Sequence, residues 1–194
     1  DPIPLNCVEH EILRKLICTA IFLLLLLFMN AGAVDFWDPD GSYADQASEI
    51  TALLDDSELL GQVLMLGYLG SEPSDEFLQW IREWNIGGVK VFGWNTGNLR
   101  ELASGIAAMQ HAAVSAIPGI PLFIATDQEG GWVRHVKGET SETPGNLAIG
   151  ASGIAMDAYK SGYYIGRELR VLGINMNFAP TVDIYSNPNA DVIG

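Results

Sequence analysis

The chain has 194 residues, 48% of them hydrophobic, a composition that is typical of a globular protein and argues against intrinsic disorder. Its 24 acidic side chains outnumber 10 lysines and arginines, and the formal net charge at pH 7 is −14. Such an acidic chain is poorly suited to nucleic acid or to anionic lipid surfaces, so neither is an expected partner.

The N-terminal region has the pattern of an export signal. The basic pair Arg14 and Lys15 precedes an apolar segment, residues 16–29, and Ala-Gly-Ala follows at residues 31–33. A basic start, about fourteen apolar residues and a small-residue site are typical of a signal peptide, whereas a membrane span needs about twenty residues. We expect cleavage after this triplet and a periplasmic or extracellular protein. The alternative is an uncleaved signal anchor, which would be the protein's one contact with a membrane.

Cysteine usage limits the chemistry of the exported part. Cys7 and Cys18 both precede the expected cleavage point. The exported part would then contain no disulfide, no thiol nucleophile and no thiolate ligand for a metal. Oxygen and imidazole ligands for a metal stay possible.

Helix and strand patterns alternate through the rest of the chain. Apolar residues at helical spacing predict helices, and short apolar or alternating segments between glycine and proline breaks predict strands. In chain order the predicted elements are a helix at 45–55, a strand at 62–68, a helix at 73–84, a strand at 89–92, a helix at 99–113, a strand at 121–126, a helix at 151–172 and a strand at 174–178. Four strands joined by three helices predict a parallel α/β fold, and a doubly wound sheet and a (β/α) barrel fit this count equally.

A polar cluster follows the third predicted strand. The apolar residues 121–125 give way to Thr126, Asp127, Gln128 and Glu129. Parallel sheets are usually covered on both faces and bind ligands at the carboxyl ends of their strands, so these side chains are candidate ligand-binding groups. The alternative is an ordinary strand exit with solvated acids. Gly130 and Gly131, which follow, predict either a sharp turn or a close approach of a ligand to the backbone.

A nucleotide site is poorly supported. No G-x-G-x-x-G motif follows a predicted strand, and residues 145–152 copy the glycine spacing of a phosphate loop without its lysine. These glycines are better explained as a loop that leads into the next helix.

Three motifs carry a resemblance to a known family. They are IGGVKVF at 86–92, IPLFIATDQEGG at 120–131 and NFAPTVD at 177–183. In order and spacing they resemble the amino-terminal barrel of glycoside hydrolase family 3, and the D-Q-E-G-G form resembles its bacterial β-N-acetylhexosaminidase branch. The resemblance implies a (β/α)8 TIM-type barrel of which only the first half is present. It divides the chain into an N-terminal extension with signal (1–33), a leader with the first helix (34–58) and the incomplete barrel (59–194).

The resemblance also implies an activity. It implies hydrolysis of terminal β-linked N-acetylhexosamine with retention of configuration and with neither a metal nor an organic cofactor. The expected partner is therefore an N-acetylglucosamine-containing oligosaccharide or cell-wall fragment. Spacing alone would offer Asp127 and Glu129 as the carboxylate pair that retaining chemistry needs. In the family, however, the nucleophile is an Asp from a later segment and the acid/base is a His in a K-H-x-P-G-H-G loop. Neither motif occurs in this chain, so we assign it no catalytic residue and expect it to be inactive alone.

Candidate substrate-binding residues are Asp127, Arg134 and His135. Asp127 matches the family aspartate that accepts hydrogen bonds from two sugar hydroxyls, a role that suits an acceptor-only anion. The family pattern ends this segment with an Arg, whereas here Arg134 lies one place early and His135 occupies that position; the alternative for both is a solvated loop. Trp94 stands where an Arg is common and is either a sugar platform or a cap on the barrel. Glu129 is expected to be a structural partner of the turn.

Two other functions remain open. One is a family 3 β-glucosidase or β-xylosidase, and the other is a noncatalytic sugar-binding relative that keeps Asp127 but lacks the downstream Asp and His.

Overall fold

The computed structural model describes residues 41–183 and residue 186. The predicted signal segment, residues 16–29, lies outside the described residues. The chain divides after Ala47 into two units, and of the first unit only residues 41–47, which include the start of the first helix, are described.

Six α-helices, one 3₁₀ helix and six strands are present among the described residues. The helices are α1 Tyr43–Leu53, α2 Asp56–Gln62, α3 Asp75–Glu83, α4 Leu99–Val114, α5 Asn146–Ser152 and α6 Ala155–Val171, with a short 3₁₀ helix at Gly93–Asn95 as the seventh helical element. The strands are β1 Met65–Gly67, β2 Gly88–Lys90, β3 Phe123–Thr126, β4 Gln128–Gly130, β5 Val133–Arg134 and β6 Met176–Asn177.

A parallel four-stranded sheet in the order β1-β2-β3-β6 organises the fold. Val89 on β2 pairs with Leu66 on β1 and with Ile124 on β3, and Ala125 pairs with Met176 on β6. The parallel α/β fold predicted from the sequence is therefore confirmed. Each predicted strand is present, although each is shorter than its apolar pattern suggested.

Helices α3 and α4 are capped at their starts and buried along one side. Ser74 accepts a hydrogen bond from the backbone N–H of Phe77 at the start of α3, and Asn98 caps α4 in the same way. Such caps satisfy backbone donors that a helix leaves unpaired in its first turn. The apolar core between the helices and the sheet contains the fully buried side chains Ile81, Ile86, Val89, Val91, Leu102, Met109, Leu122 and Ile124.

The third strand is covered less evenly than predicted. Leu122, Ile124 and Ala125 are buried, but Phe123 is 56% exposed. Side chains alternate between the two faces of a strand, so Phe123 lies on the face opposite Ile124 and the helices. The expectation of a strand buried on both faces is wrong at this position.

Two elements escaped the sequence analysis. Helix α2 begins with a capping box, in which Asp55 accepts from the backbone N–H of Glu58 and the Glu58 side chain accepts from that of Asp55. Because α2 continues to Gln62, the predicted strand at 62–68 is shortened at its start. The predicted helix at 151–172 is also interrupted, because Gly153 has φ +65° and separates α5 from α6.

The second missed element is the antiparallel hairpin of β4 and β5. Gly130 and Gly131 adopt φ +93° and +54°, which confirms the predicted sharp turn. A Cβ on Gly131 would lie 2.8 Å from the Cα of Gly145, so the loops also approach closely here.

Two asparagine side chains join β6 to the neighbouring strand. The carboxamide of Asn175 accepts from Ile124 N–H at 2.8 Å and donates to the carbonyl of Leu122 at 3.0 Å. The carboxamide of Asn177 accepts from Gln128 N–H at 2.9 Å and donates to its carbonyl at 3.1 Å. These bonds extend a pairing that involves only two residues of β6 in the backbone ladder.

Candidate active site

An ion pair lies at the carboxyl edge of the parallel sheet. Lys90 ends β2 opposite Ala125 of β3, and Asp127 follows two residues after Ala125 on the same face. The Lys90 ammonium donates a hydrogen bond to Asp127 Oδ2 at 2.7 Å, and both side chains are 24% exposed. The predicted ligand-binding acid is therefore half-buried and paired with a cation.

Aromatic rings flank the lysine. Its Nζ lies 4.8 Å from the ring centroid of Phe92 and 5.6 Å from that of Phe178. Both distances are within the range of cation–π attraction. The charge of Lys90 is thus held between one carboxylate and two rings.

His135 approaches the same carboxylate from the hairpin side. Its Nε2 lies 3.5 Å from Asp127 Oδ2, and its ring meets the Phe92 ring edge-on at 5.7 Å. Thr96 donates its hydroxyl hydrogen bond to the carbonyl of His135 at 2.8 Å. The structure brings together two of the three predicted binding residues, Asp127 and His135.

A buried glutamine fixes the backbone beside His135. The Gln128 side chain accepts from Val136 N–H at 2.9 Å and donates to the Val136 carbonyl at 2.8 Å. Gln128 is 3% exposed and directly follows Asp127. The same residue therefore ties the strand that carries Asp127 to the loop that carries His135.

Arg134 points to another partner. Its Nη2 lies 2.6 Å from Glu142 Oε1, and this hydrogen bond and the arginine charge lower the pKa of Glu142. Within the described structure the Arg134 side chain forms no hydrogen bond or ion pair with Asp127, so the three predicted residues do not all lie together. Its part in substrate binding stays a prediction.

Trp94 presents a fixed aromatic surface. The indole stacks on Phe92 with centroids 4.5 Å apart and an angle of 11° between planes. Its Nε1 donates to the carbonyl of Tyr68 at 3.0 Å, and the side chain remains 56% exposed. An indole held in this way can stack on the apolar face of a sugar ring without further ordering.

Glu129 is occupied by structural hydrogen bonds. Its Oε2 accepts from Asn146 Nδ2 at 2.8 Å and from Thr181 N–H at 2.9 Å, and its Oε1 accepts from the Thr181 hydroxyl at 2.8 Å. These bonds connect the hairpin to α5 and to the segment after β6. The geometry supports a structural partner of the turn rather than a carboxylate free for proton transfer.

A cleft on the described structure is not lined by Lys90 or Asp127. The cleft has a volume of about 600 Å³, and Gly93, Thr96 and the loop residues Lys137 and Glu139 are among the residues that line it. The candidate site is therefore defined by the residues around the Lys90–Asp127 ion pair and not by the volume of a cleft.

Over residues 41–183 no group of three or more His, Cys, Asp or Glu side chains is arranged to bind a metal ion. No helix in that range is long and apolar enough to cross a bilayer.

Lys90 is the site residue that the sequence analysis missed. A lysine between Val89 and Val91 interrupts an otherwise apolar strand, and this could have marked it, because a buried charge needs a partner. The identity of that partner depends on strand register and was not readable from spacing.

Most of the chain is similar to a known protein family. Residues 56–194 match the family model described as Glycosyl hydrolase family 3 N terminal domain. A β-hexosaminidase A of Pseudoalteromonas piscicida is 41% identical over 157 residues, covering 71% of this chain and 26% of the relative. A β-N-acetylglucosaminidase/β-glucosidase of Cellulomonas fimi is 33% identical over 137 residues, covering 70% of this chain and 22% of the relative.

Solved structures agree with these relatives. A family 3 β-N-acetylglucosaminidase from Paenibacillus sp. str. FPU-7 superposes with a TM-score of 0.69 at 42% identity, covering 73% of this chain and 27% of that chain. A β-N-acetylhexosaminidase from Beutenbergia cavernae gives a TM-score of 0.61 at 31% identity, covering 70% and 40%. The chain thus spans about a quarter of the length of the first relatives.

Proposed function

The chain belongs to glycosyl hydrolase family 3, and we propose that the complete protein removes terminal β-linked N-acetylhexosamine from oligosaccharides. The relatives named β-hexosaminidase and β-N-acetylglucosaminidase support this substrate class. The observation that carries the proposal is the position of Asp127, half-buried at the carboxyl edge of the parallel sheet.

The complete fold is proposed to be a (β/α)8 barrel. The order β1-β2-β3-β6 adds each parallel strand of the main sheet beside the one before it, without the reversal that characterises a doubly wound sheet. Barrels of this type bind substrate at the carboxyl ends of their strands, the edge at which Asp127 lies.

Asp127 is proposed to bind the terminal sugar through its free oxygen. Lys90 and His135 both approach Oδ2, and among the described residues no hydrogen bond to Oδ1 is formed. A sugar hydroxyl that donates to this oxygen would form a charge-assisted bond, which is stronger than a neutral one. His135 and Arg134 remain candidate sugar contacts, and Trp94 is a candidate platform for the ring.

The bond-breaking groups are proposed to lie elsewhere in the complete protein. In a retaining reaction a carboxylate displaces the leaving group at the anomeric carbon while an acid protonates the departing oxygen, and water then releases the sugar. Glu129 already accepts three hydrogen bonds, so it is poorly placed to serve as either group.

A direct assay separates the candidate functions. The complete protein is incubated with paired chromogenic N-acetyl-β-glucosaminide and β-glucoside substrates. Preferential cleavage of the first supports the proposal. Preferential cleavage of the second would favour a β-glucosidase, an alternative that the two activities named for the Cellulomonas fimi relative keep open. Binding of N-acetylglucosamine without cleavage of either would indicate a sugar-binding relative.

Export is a separate proposal. The basic pair, the apolar residues 16–29 and the Ala-Gly-Ala triplet support a cleaved signal and a periplasmic or extracellular protein. N-terminal sequencing of the native protein tests it. A terminus at Val34 is expected, and retention of residues 16–29 in a membrane fraction would favour an anchor.

A further inference from the structure

We propose that Lys90 is a positioning residue for sugar binding, which holds the Asp127 carboxylate so that Oδ1 alone faces the ligand. This inference rests on the proposed function, since it assigns Asp127 to the sugar. The inference adds Lys90, which lies on a different strand from Asp127. Lys90 does not need to contact the sugar itself, because it acts through the carboxylate.

The strand register directs the lysine toward the site. Gly67 and Ala125 flank Lys90 on the two neighbouring strands. Neither has a side chain large enough to deflect the lysine, and the space above Gly67 is taken by the Phe92 ring, whose Cε2 would lie 2.9 Å from a Cβ at that position. The Lys90 side chain is therefore guided along the sheet toward its carboxyl edge.

The ammonium is confined at that edge. Phe92 and Phe178 flank it, and Asp127 Oδ2 accepts its hydrogen bond at 2.7 Å. A lysine that is free in water samples many rotamers, and the rings and carboxylate together remove most of that freedom. The Lys90 and Asp127 side chains thus lose their conformational entropy on folding and not on sugar binding. The site is therefore preorganised for its ligand.

The orientation of Asp127 depends on this one donor. Within residues 41–183 no other group donates a hydrogen bond to the Asp127 carboxylate. His135 Nε2 lies 3.5 Å from Asp127 Oδ2 and forms no hydrogen bond with it. Without Lys90 the carboxylate would be free to rotate and to exchange its two oxygens. A sugar would then have to fix the carboxylate as it binds, and affinity would fall.

A merely structural role makes a different prediction. If the ion pair served only to join β2 to β3, its loss would lower stability and leave the response of the enzyme to changes at Asp127 unaltered. If Lys90 acts through Asp127, the two residues form a unit, and the effects of removing them are not additive.

The test is a double-mutant cycle in the complete protein, with kcat/KM measured on a chromogenic N-acetyl-β-glucosaminide. We expect Lys90→Met to lower kcat/KM about 30-fold, mainly through KM, and Lys90→Gln to lower it less because it keeps a donor. The double variant of Lys90→Met with Asp127→Asn is expected to be no worse than Asp127→Asn alone. Lys160→Met removes the same charge from an exposed residue of α6 and should change kcat/KM less than about twofold.

Each outcome bears on the proposal. Additive losses in the cycle, or wild-type kcat/KM in a folded Lys90→Met protein, would overturn it. Loss of the folded state in both Lys90 variants, measured by circular dichroism, would also overturn it in favour of a structural role. If the unaltered protein cleaves no glycoside, the proposed activity fails by itself, and the same cycle is then measured on N-acetylglucosamine affinity by calorimetry, where additivity again contradicts the inference.

Discussion

Replacing Asp127 by alanine in the complete enzyme should lower kcat/KM by about 10²–10³-fold on N-acetyl-β-glucosaminide substrates. The magnitude follows from the bonds that the carboxylate can form. A hydrogen bond to a charged group contributes about 1.5–3 kcal/mol, and loss of two sugar hydroxyl bonds, partly replaced by water at a side chain that is 24% exposed, amounts to about 3–4 kcal/mol. The remaining Lys90 charge adds little to this, since it stays in contact with solvent and the rings.

The assay compares steady-state kinetics of wild type, Asp127→Ala and a matched control. Asp157→Ala removes the same charge from an exposed position on α6 and should leave kcat/KM within about twofold of wild type. Circular dichroism and thermal unfolding confirm that each variant is folded. Wild-type kinetics in a folded Asp127→Ala protein would refute the assignment of the sugar to this edge of the sheet.

Three further predictions concern stability. Glu129→Ala should lower the melting temperature by about 5–10 °C because three hydrogen bonds are lost, and a collapse of activity without any change in melting temperature would instead indicate proton transfer by Glu129. Gly131→Ala should destabilise the folded protein by about 1–3 kcal/mol in urea unfolding, because a Cβ at φ +54° would meet Gly145, and an unchanged unfolding midpoint would contradict this. Burial raises the pKa of Tyr68 to about 12 from 10.0, so its contribution to stability is complete below pH 10 and is lost as the pH rises toward 12. Tyr68→Phe should therefore reduce alkaline unfolding with little effect at pH 7, since the buried hydroxyl has no partner within the described structure, and an identical alkaline transition would count against that assignment.

The sequence was sufficient for the parts of the fold that depend on local patterns. Helix α4 follows directly from its apolar stripe, and the position of Asp127 after β3 follows from an apolar segment that stops at a polar cluster. The capping box of Asp55 and Glu58 was equally legible in the sequence and was overlooked. These features depend on residues that are near one another along the chain.

The remaining features depend on contacts between distant segments. Lys90 meets Asp127 across 37 positions of sequence because β2 and β3 pair in one register, and a shift of one residue would turn the lysine to the other face. Arg134 lies on the hairpin, but its side chain pairs with Glu142 and not with Asp127, and its position in the sequence did not indicate that partner. Composition and spacing do not contain that information.

The carboxamides of Asn175 and Asn177 give β6 an alignment that its backbone alone would specify weakly. Valine would be the better strand former at both positions, yet it would discard all four amide bonds to β3 and its continuation. The Asn177 side chain forms hydrogen bonds with the backbone of Gln128, and Phe178 N–H donates to the carbonyl of Thr126. The backbone on both sides of Asp127 is therefore held by a segment about fifty residues later in the chain. Asn175 and Asn177 thus have a lower intrinsic preference for a strand than valine, but their side chains fix the position of the backbone that carries the Asp127 carboxylate.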